Sequence, residues 1–177
     1  MNRTLKITYL AMLLTFAVVI HTVEAMFPLP FPMPGVKLGL ANIITLLTLL
    51  LYGLKEGLFI SLGKSLLSSF FTGSFMGPGL ALSAGGSVVS CLVMAAVIPL
   101  ARKGAVSVVS VSVSGAVIHN LTQLLIASAL LQQYFLFQSF FPAYILIAVP
   151  TGVFTGLAVI YLEKITQKSL KSLKENY

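Results

Sequence analysis

The chain of 177 residues contains no aspartate and no tryptophan, and only 8% of its residues are charged. Soluble domains carry about 25% charged residues, so this scarcity excludes nearly every water-soluble globular fold. Hydrophobic residues make up 58% of the chain, and the mean hydropathy is +1.02, which excludes a disordered chain. We therefore predict an all-α integral membrane protein in which residues 1–177 form one domain.

The lack of aspartate also limits the chemistry that the chain supports. Its four carboxylates are Glu24, Glu56, Glu163 and Glu175, whereas Mg²⁺-dependent diphosphate chemistry needs several carboxylates at one place. The sequence has no Gly-rich GK[ST] loop for ATP and no histidine pair at haem or metal spacing. Its single cysteine, Cys91, cannot form an internal disulfide. We expect no catalytic site, metal or cofactor, so that a partner supplies the energy for any uphill transport.

Six apolar stretches approach the roughly 20 residues that cross a bilayer as a helix. The second and third are close in sequence, which predicts a tight connection. We place the six spans at residues 7–26, 38–54, 57–75, 79–100, 106–131 and 142–162.

The basic residues predict the orientation, because lysine and arginine collect in cytoplasmic loops. With six spans and a cytoplasmic N-terminus, nine of the eleven basic residues lie on the cytoplasmic side. Both termini are then cytoplasmic, which fits a multi-pass membrane protein. The basic residues are too scattered to form a nucleic-acid-binding face. The first span resembles a signal peptide in part, but its length and Glu24 favour a retained helix.

The first external connection, residues 27–36, reads FPLPFPMPGV and has four prolines that prevent helix formation. It is either a rigid turn or a lid over an outward-facing cavity. Lys37 follows it, and Asn42 lies one turn further along the second span. Lys37 either pairs with Glu24 across the loop or meets an anionic group on a ligand.

Polar residues inside the spans are costly in lipid, so they normally face the bundle interior. His21 and Glu24 share one face of the first span, where His21 would support Glu24. On the fifth span, His119, Asn120 and Gln123 can turn to one side of the helix. Either these groups form hydrogen bonds between helices, which are worth less than about 2 kcal/mol, or they contact a ligand.

The third span carries a polar stripe at helical spacing. Lys64 lies within this stripe, about 10 Å from the cytoplasmic end. We expect its ammonium to extend toward that end, which is a structural role. The alternative is that the stripe lines a cavity. Its members are Ser61, Lys64, Ser65, Ser68 and Thr72.

Two segments resemble a known family. The first runs from Glu24 through the prolines to PGVKLGLANIITLL (residues 34–47), and the second is GAVIHNLTQLLIA (residues 115–127). Both resemble the bacterial membrane family called Gx transporters, which is also labelled heptaprenyl diphosphate synthase component I. With the length and the span count, the resemblance covers nearly the whole chain.

That family is in turn similar to the substrate-binding S components of energy-coupling factor (ECF) transporters. The resemblance implies a six-helix bundle that captures a vitamin-, flavin- or quinone- and isoprenoid-related molecule under the first external loop. It also implies a coupling subunit and two ATPases as partners. The coupling subunit would dock on the first helix, where Ala11 and Thr15 replace the usual pair of alanines.

The residues and the resemblance together predict one ligand site facing the outer side, with Lys64 and His21 in supporting roles. Two alternatives remain open. One is a subunit, catalytic or not, linked to heptaprenyl diphosphate or quinone synthesis, and the other is a scaffold for an electron-transfer assembly. The predicted site consists of Glu24, Lys37, Asn42, His119, Asn120 and Gln123.

Overall fold

The computed structural model describes residues 3–26 and 39–175, with side chains as far as residue 169. Within these residues the chain forms six helices and no strand. The prediction of an all-α protein is therefore confirmed. In chain order the helices are α1 (Arg3–Met26), α2 (Asn42–Tyr52), α3 (Leu54–Phe71), α4 (Pro78–Arg102), α5 (Val108–Leu130) and α6 (Tyr134–Glu175).

Short connections make successive helices antiparallel. Gly53 alone separates α2 from α3, and its φ of 97° lies in the region that favours glycine. The predicted tight connection is thus confirmed. An ion pair between Lys6 and Glu56 joins the start of α1 to the start of α3. The same end carries Arg102 and Lys103 at the turn between α4 and α5. We call this end of the bundle the basic end. The opposite half of the bundle is the distal half.

Four of the helices are long and apolar enough to cross a membrane, namely α1, α4, α5 and α6, which identifies a membrane protein. The second predicted span is wrong in length, because α2 has only 11 residues and rises about 16 Å. The third, α3, has 18 residues but includes the charged Lys55, Glu56 and Lys64.

The sixth predicted span starts too late. Helix α6 begins eight residues before Pro142 and has 42 residues, which is about 63 Å of helix. Pro142 and Pro150 both lie inside it. A proline removes one backbone donor, and neighbouring helices in a membrane bundle can satisfy the backbone groups that it frees. The helix therefore continues through both prolines and past the basic end of α5.

The short helix α2 occupies the centre of the bundle, since it contacts each of the other five helices. Around it, α1 packs on α3, α3 on α4, α4 on α5, and α5 on α6. Seven of the 11 residues of α2 are buried. A helix surrounded on all sides needs no amphipathic pattern, which explains its nearly continuous apolar sequence.

Helix α6 approaches α5 closely through Gly152 and Gly156. A Cβ atom at either glycine would lie within 3 Å of the Cα of Val113 or Val109, respectively. The hydroxyls of Ser112 and Thr155 form a hydrogen bond of 2.7 Å across the same contact. The two glycines have the GxxxG spacing that lets membrane helices approach closely.

The two halves of the bundle differ in their interior. The basic-end half contains an apolar cluster, whereas buried hydroxyl, amide, imidazole and charged groups concentrate in the distal half. The antiparallel arrangement brings the polar segments of different helices together in the distal half. These segments are the end of α1, the start of α2 and of α4, and the middle of α3 and of α5. The apolar cluster comprises Leu46, Leu49, Cys91, Met94, Ile98, Val111 and Val159.

The ion pair at the basic end makes a pH-dependent prediction. The hydrogen bond from the Lys6 ammonium lowers the pKa of the Glu56 carboxyl below its ordinary value of 4.5. The pair therefore stabilises the fold above that pH, and its contribution is lost as the pH falls through the lowered pKa. We expect Glu56→Gln to lower the thermal unfolding midpoint in detergent at pH 7 by the equivalent of about 1 kcal/mol or less.

The control is Glu163→Gln, which removes a carboxylate that accepts its hydrogen bond from the neutral Gln167. At acidic pH the midpoints of Glu56→Gln and the wild type should converge. A difference that persists when the carboxyl is protonated would contradict the ion-pair explanation.

Candidate functional site

Lys64 is the charged centre of the distal half. Its side chain is 1% exposed, and its Nζ donates hydrogen bonds to Asn42 Oδ1 at 2.8 Å and Thr45 Oγ1 at 3.0 Å. Both acceptors lie in the first turns of α2, away from the basic end. The expectation that Lys64 extends toward the cytoplasmic end was therefore wrong, because nearby oxygen acceptors on α2 hold the ammonium inside the bundle.

The rest of the polar stripe on α3 also faces the interior. Ser61, Ser65 and Ser68 are 2% exposed or less, while Thr72 caps the C-terminus of α3. Hydroxyls at this spacing share the buried side of the helix with Lys64. The stripe therefore contributes to a polar interior, and Lys64 does not extend toward the helix end as expected.

Asn42 opens α2 and is buried at 7% exposure. Since an ammonium only donates, the contact with Lys64 identifies which side of the Asn42 amide is the oxygen. The amide nitrogen, Nδ2, is buried and makes no hydrogen bond to any residue that the structure describes. A buried amide donor without a partner is costly and normally finds one.

Glu24 lies near the end of α1 and is also buried. Its Oε1 accepts a hydrogen bond from the backbone N–H of Gly39, in the turn that leads into α2. Gly39 has a φ of 75°, which favours glycine, and a Cβ there would lie 3.2 Å from Asn42 Nδ2. Glu24, Gly39, Asn42 and Lys64 therefore form one connected set between α1 and α3.

His21, one turn before Glu24, points toward α4. Its Nε2 lies 2.8 Å from the Ser83 hydroxyl, which is 3.2 Å from the Ser65 hydroxyl on α3. Ser65 in turn lies 3.3 Å from Ser87 Oγ. This chain of hydroxyls joins three helices, so His21 belongs to the same polar interior as Lys64.

The polar turn of α5 faces inward as predicted. His119, Asn120 and Gln123 are all 3% exposed or less. A Cβ atom on Gly86 of α4 would lie 3.0 Å from Gln123 Cγ and 3.1 Å from the His119 ring. Gln123 Oε1 is buried without a hydrogen-bond partner in the described ranges 3–26 and 39–169.

Other predicted residues lie elsewhere. Lys37 and the proline-rich connection are outside the described residues. Ala11 and Thr15 are exposed on the outer side of α1, and the Thr15 hydroxyl donates to the Ala11 carbonyl oxygen at 2.9 Å. This surface is accessible from outside the bundle.

The sequence analysis missed two residues of the polar interior. Thr45 was hidden within an apolar run, although it lies one turn after Asn42. Tyr144, 2% exposed, is the largest fully buried side chain among the described residues. The pairing of Gly152 and Gly156 with α5 places Tyr144 near the level of Gln123. The hydroxyl of a tyrosine buried within a membrane span needs a polar partner, so the sequence could have indicated Tyr144 as part of the polar interior.

Within the described part of the chain, no three His, Cys, Asp or Glu side chains come together in a way that would hold a metal ion. The arrangement instead combines one ammonium, one carboxylate, two imidazoles and three amides. Side chains of these types can bind a polar organic molecule through hydrogen bonds and charge.

The fold and this interior define an all-helical membrane protein that encloses charged and amide groups in one half of its bundle. The chain belongs to the heptaprenyl diphosphate synthase component I family, whose model matches residues 13–162. The family predicted from the two sequence segments is therefore confirmed. Comparisons with curated proteins and with solved structures gave no match.

Gly86 provides a test of the tight packing between α4 and α5. We expect Gly86→Ala to lower the thermal unfolding midpoint by the equivalent of about 1–2 kcal/mol, because the new methyl group displaces His119 and Gln123. The matched control is Gly85→Ala, whose methyl group meets only the flexible end of Ile126. A midpoint for Gly86→Ala equal to that of the wild type, measured in the same detergent, would argue against tight packing of Gly86 on His119 and Gln123.

Proposed function

We propose that the protein binds a small polar molecule in the distal half of its bundle and acts as the substrate-binding subunit of a membrane transporter. The ligand enters from the outer side of the bacterial cytoplasmic membrane. Partner subunits supply the energy, and the chain binds the molecule without transforming it. The basic end is cytoplasmic in this proposal, with both termini on that side.

One observation carries the proposal. Asn42 Nδ2 and Gln123 Oε1 are buried on different helices, and neither has a hydrogen-bond partner among the described residues. Leaving such a group unpaired costs about 1–3 kcal/mol. A ligand that accepts from Asn42 and donates to Gln123 would remove both penalties. An interior used only for helix packing offers no such reason to keep two unsatisfied amides.

The charges narrow the ligand chemistry. Lys64 places a positive charge beside Asn42, which favours a molecule with an anionic group. Glu24 holds the turn that enters α2 through Gly39. We propose that Lys37 and the proline-rich connection, residues 27–36, close over the ligand. His119 and Asn120 would complete the walls on α5. A vitamin-, flavin- or quinone-related compound has the required mixture of ring and polar groups.

The exposed side of α1 is the proposed docking surface for a coupling subunit. Ala11 and Thr15 leave it shallow, and the internal hydrogen bond of Thr15 satisfies its hydroxyl without a partner. Small side chains let two membrane helices approach closely. A transmembrane coupling subunit with two ATPases would therefore supply the energy that this chain cannot obtain from ATP itself.

The family description favours a second candidate, in which the chain is a membrane subunit of a heptaprenyl diphosphate synthase. A component I implies at least one further component. Glu24 lies in the distal half, whereas Glu56 lies at the basic end, so the two carboxylates cannot share a Mg²⁺ ion. In this candidate the partner would hold the catalytic carboxylates, and the present chain would anchor the partner or the product.

The decisive experiment is mass spectrometry of small molecules released from the protein purified in mild detergent. We expect one compound at about equimolar amount. Its affinity should fall about 10-fold or more in Asn42→Ala and in Gln123→Ala, because each variant removes a buried hydrogen bond to the ligand. The control is Thr122→Ala, which changes a partly buried neighbour of Gln123.

Unchanged affinity in both amide variants would refute the proposed site. Absence of any small molecule, combined with a co-purifying synthase subunit and Mg²⁺-dependent turnover of a prenyl diphosphate, would favour the second candidate.

The proposed orientation has its own test. In a Cys91→Ser background we place single cysteines at Met76, which is 89% exposed in the α3–α4 turn, and at Lys168 beyond the basic end. A membrane-impermeant maleimide added to intact cells should label Met76→Cys. Lys168→Cys should react only after the cells are permeabilised. The reverse pattern would invert the orientation and place the ligand site on the cytoplasmic side.

A further inference from the structure

A groove runs along the outside of the bundle, separate from the polar interior. Its volume is about 660 Å³, and its floor is the outer face of α5. Val93 of α4 and Val153 of α6 form its two walls. The floor residues are Val109, Ser110, Val113, Ser114, Val117 and Ile118.

Packing between α5 and α6 produces this shape. Gly152 and Gly156 bring the backbone of α6 against Val113 and Val109, which leaves α5 recessed beside the flank of α6. The two serines of the floor are satisfied locally: Ser114 donates to the Val111 carbonyl at 2.8 Å, and Ser110 lies 3.0 Å from the Ser107 hydroxyl. The groove therefore offers an apolar surface without hydroxyls that require water.

The length of the groove along the helix axes corresponds to the thickness of one leaflet. Along α5, Ile118 lies ten residues after Val108, which is about 15 Å. Along α4, Val93 lies nine residues before Arg102, which is nearly the same distance from the basic end. Half of the hydrocarbon core of a bilayer is also about 15 Å thick. With the basic end at the membrane surface, a groove of this length would reach about the bilayer midplane.

Cations lie at the open end of the groove. The turn between α4 and α5 carries the exposed Arg102 and Lys103, and it connects the helices that form one wall and the floor. Basic pockets between membrane helices bind anionic lipid head groups. The groove would hold the apolar chain of such a lipid, while the cations meet its phosphate.

We propose that this groove is a specific site for one anionic phospholipid of the leaflet at the basic end. The match between the groove length and the thickness of a single leaflet favours a bilayer lipid over a second copy of the chain or a partner protein. The complementary charge favours an anionic phospholipid over a zwitterionic one. This site is independent of the ligand proposed for the distal half.

The test is native mass spectrometry of the purified protein titrated with phosphatidylglycerol or with phosphatidylcholine. We expect one phosphatidylglycerol to bind about 10-fold more tightly than phosphatidylcholine. The double variant Arg102→Gln, Lys103→Gln should remove that preference. The charge-matched control is Lys164→Gln, Lys168→Gln, which alters exposed lysines of α6 past the basic end of α5 and should keep the preference.

A second variant tests the groove itself. Ser114→Phe should fill the floor and abolish the tightly bound lipid, whereas Leu125→Phe, at a 54% exposed position of the same helix, should not. Unfolding midpoints near that of the wild type verify that each variant is folded. If Ser114→Phe does not fold, the double variant of Arg102 and Lys103 remains the decisive test. Equal binding of both lipids, or a dimer that only Ser114→Phe dissociates, would overturn the proposal.

Discussion

The buried ammonium of Lys64 is the constraint on which the rest of the distal half depends. A charge inside a membrane-spanning bundle cannot rely on lipid or bulk water for solvation, so protein oxygens must take their place. Asn42 and Thr45 supply those oxygens from the first turns of α2. The hydroxyls of α3 surround the same region. Buried polar groups of α1, α4 and α5 lie in the same half of the bundle.

The same constraint explains the division of the bundle into two halves. A cluster of buried apolar side chains lies in the basic-end half, and close-packed interiors resist rearrangement. The distal half instead contains a hydrogen-bonded network in which two amides, Asn42 and Gln123, each have an atom without a described partner. In the proposed function, the apolar half positions these polar groups, and the two unpartnered amide atoms would form hydrogen bonds with the ligand.

The proposed ligand site and the proposed lipid site use different physical principles at opposite ends of the molecule. Recognition in the distal half would depend on buried hydrogen bonds and charge, which are strong where water is excluded. Recognition at the groove would depend on shape along α5 and on exposed cations at the level of the head groups. Both follow from small residues that bring helices close together: Gly86 admits the α5 polar turn, and Gly152 and Gly156 recess α5 beside α6.

The sequence by itself determined that the protein is helical and membrane-embedded, because composition and long apolar runs depend only on local chain properties. It also identified the inward-facing polar turn of α5 and the stripe on α3, since helical spacing brings these residues to one side. Only the tertiary structure decided the direction of Lys64, the short central α2 and the place of Tyr144. Each of these depends on which oxygen acceptors and helix surfaces lie opposite, and residues distant in sequence supply them.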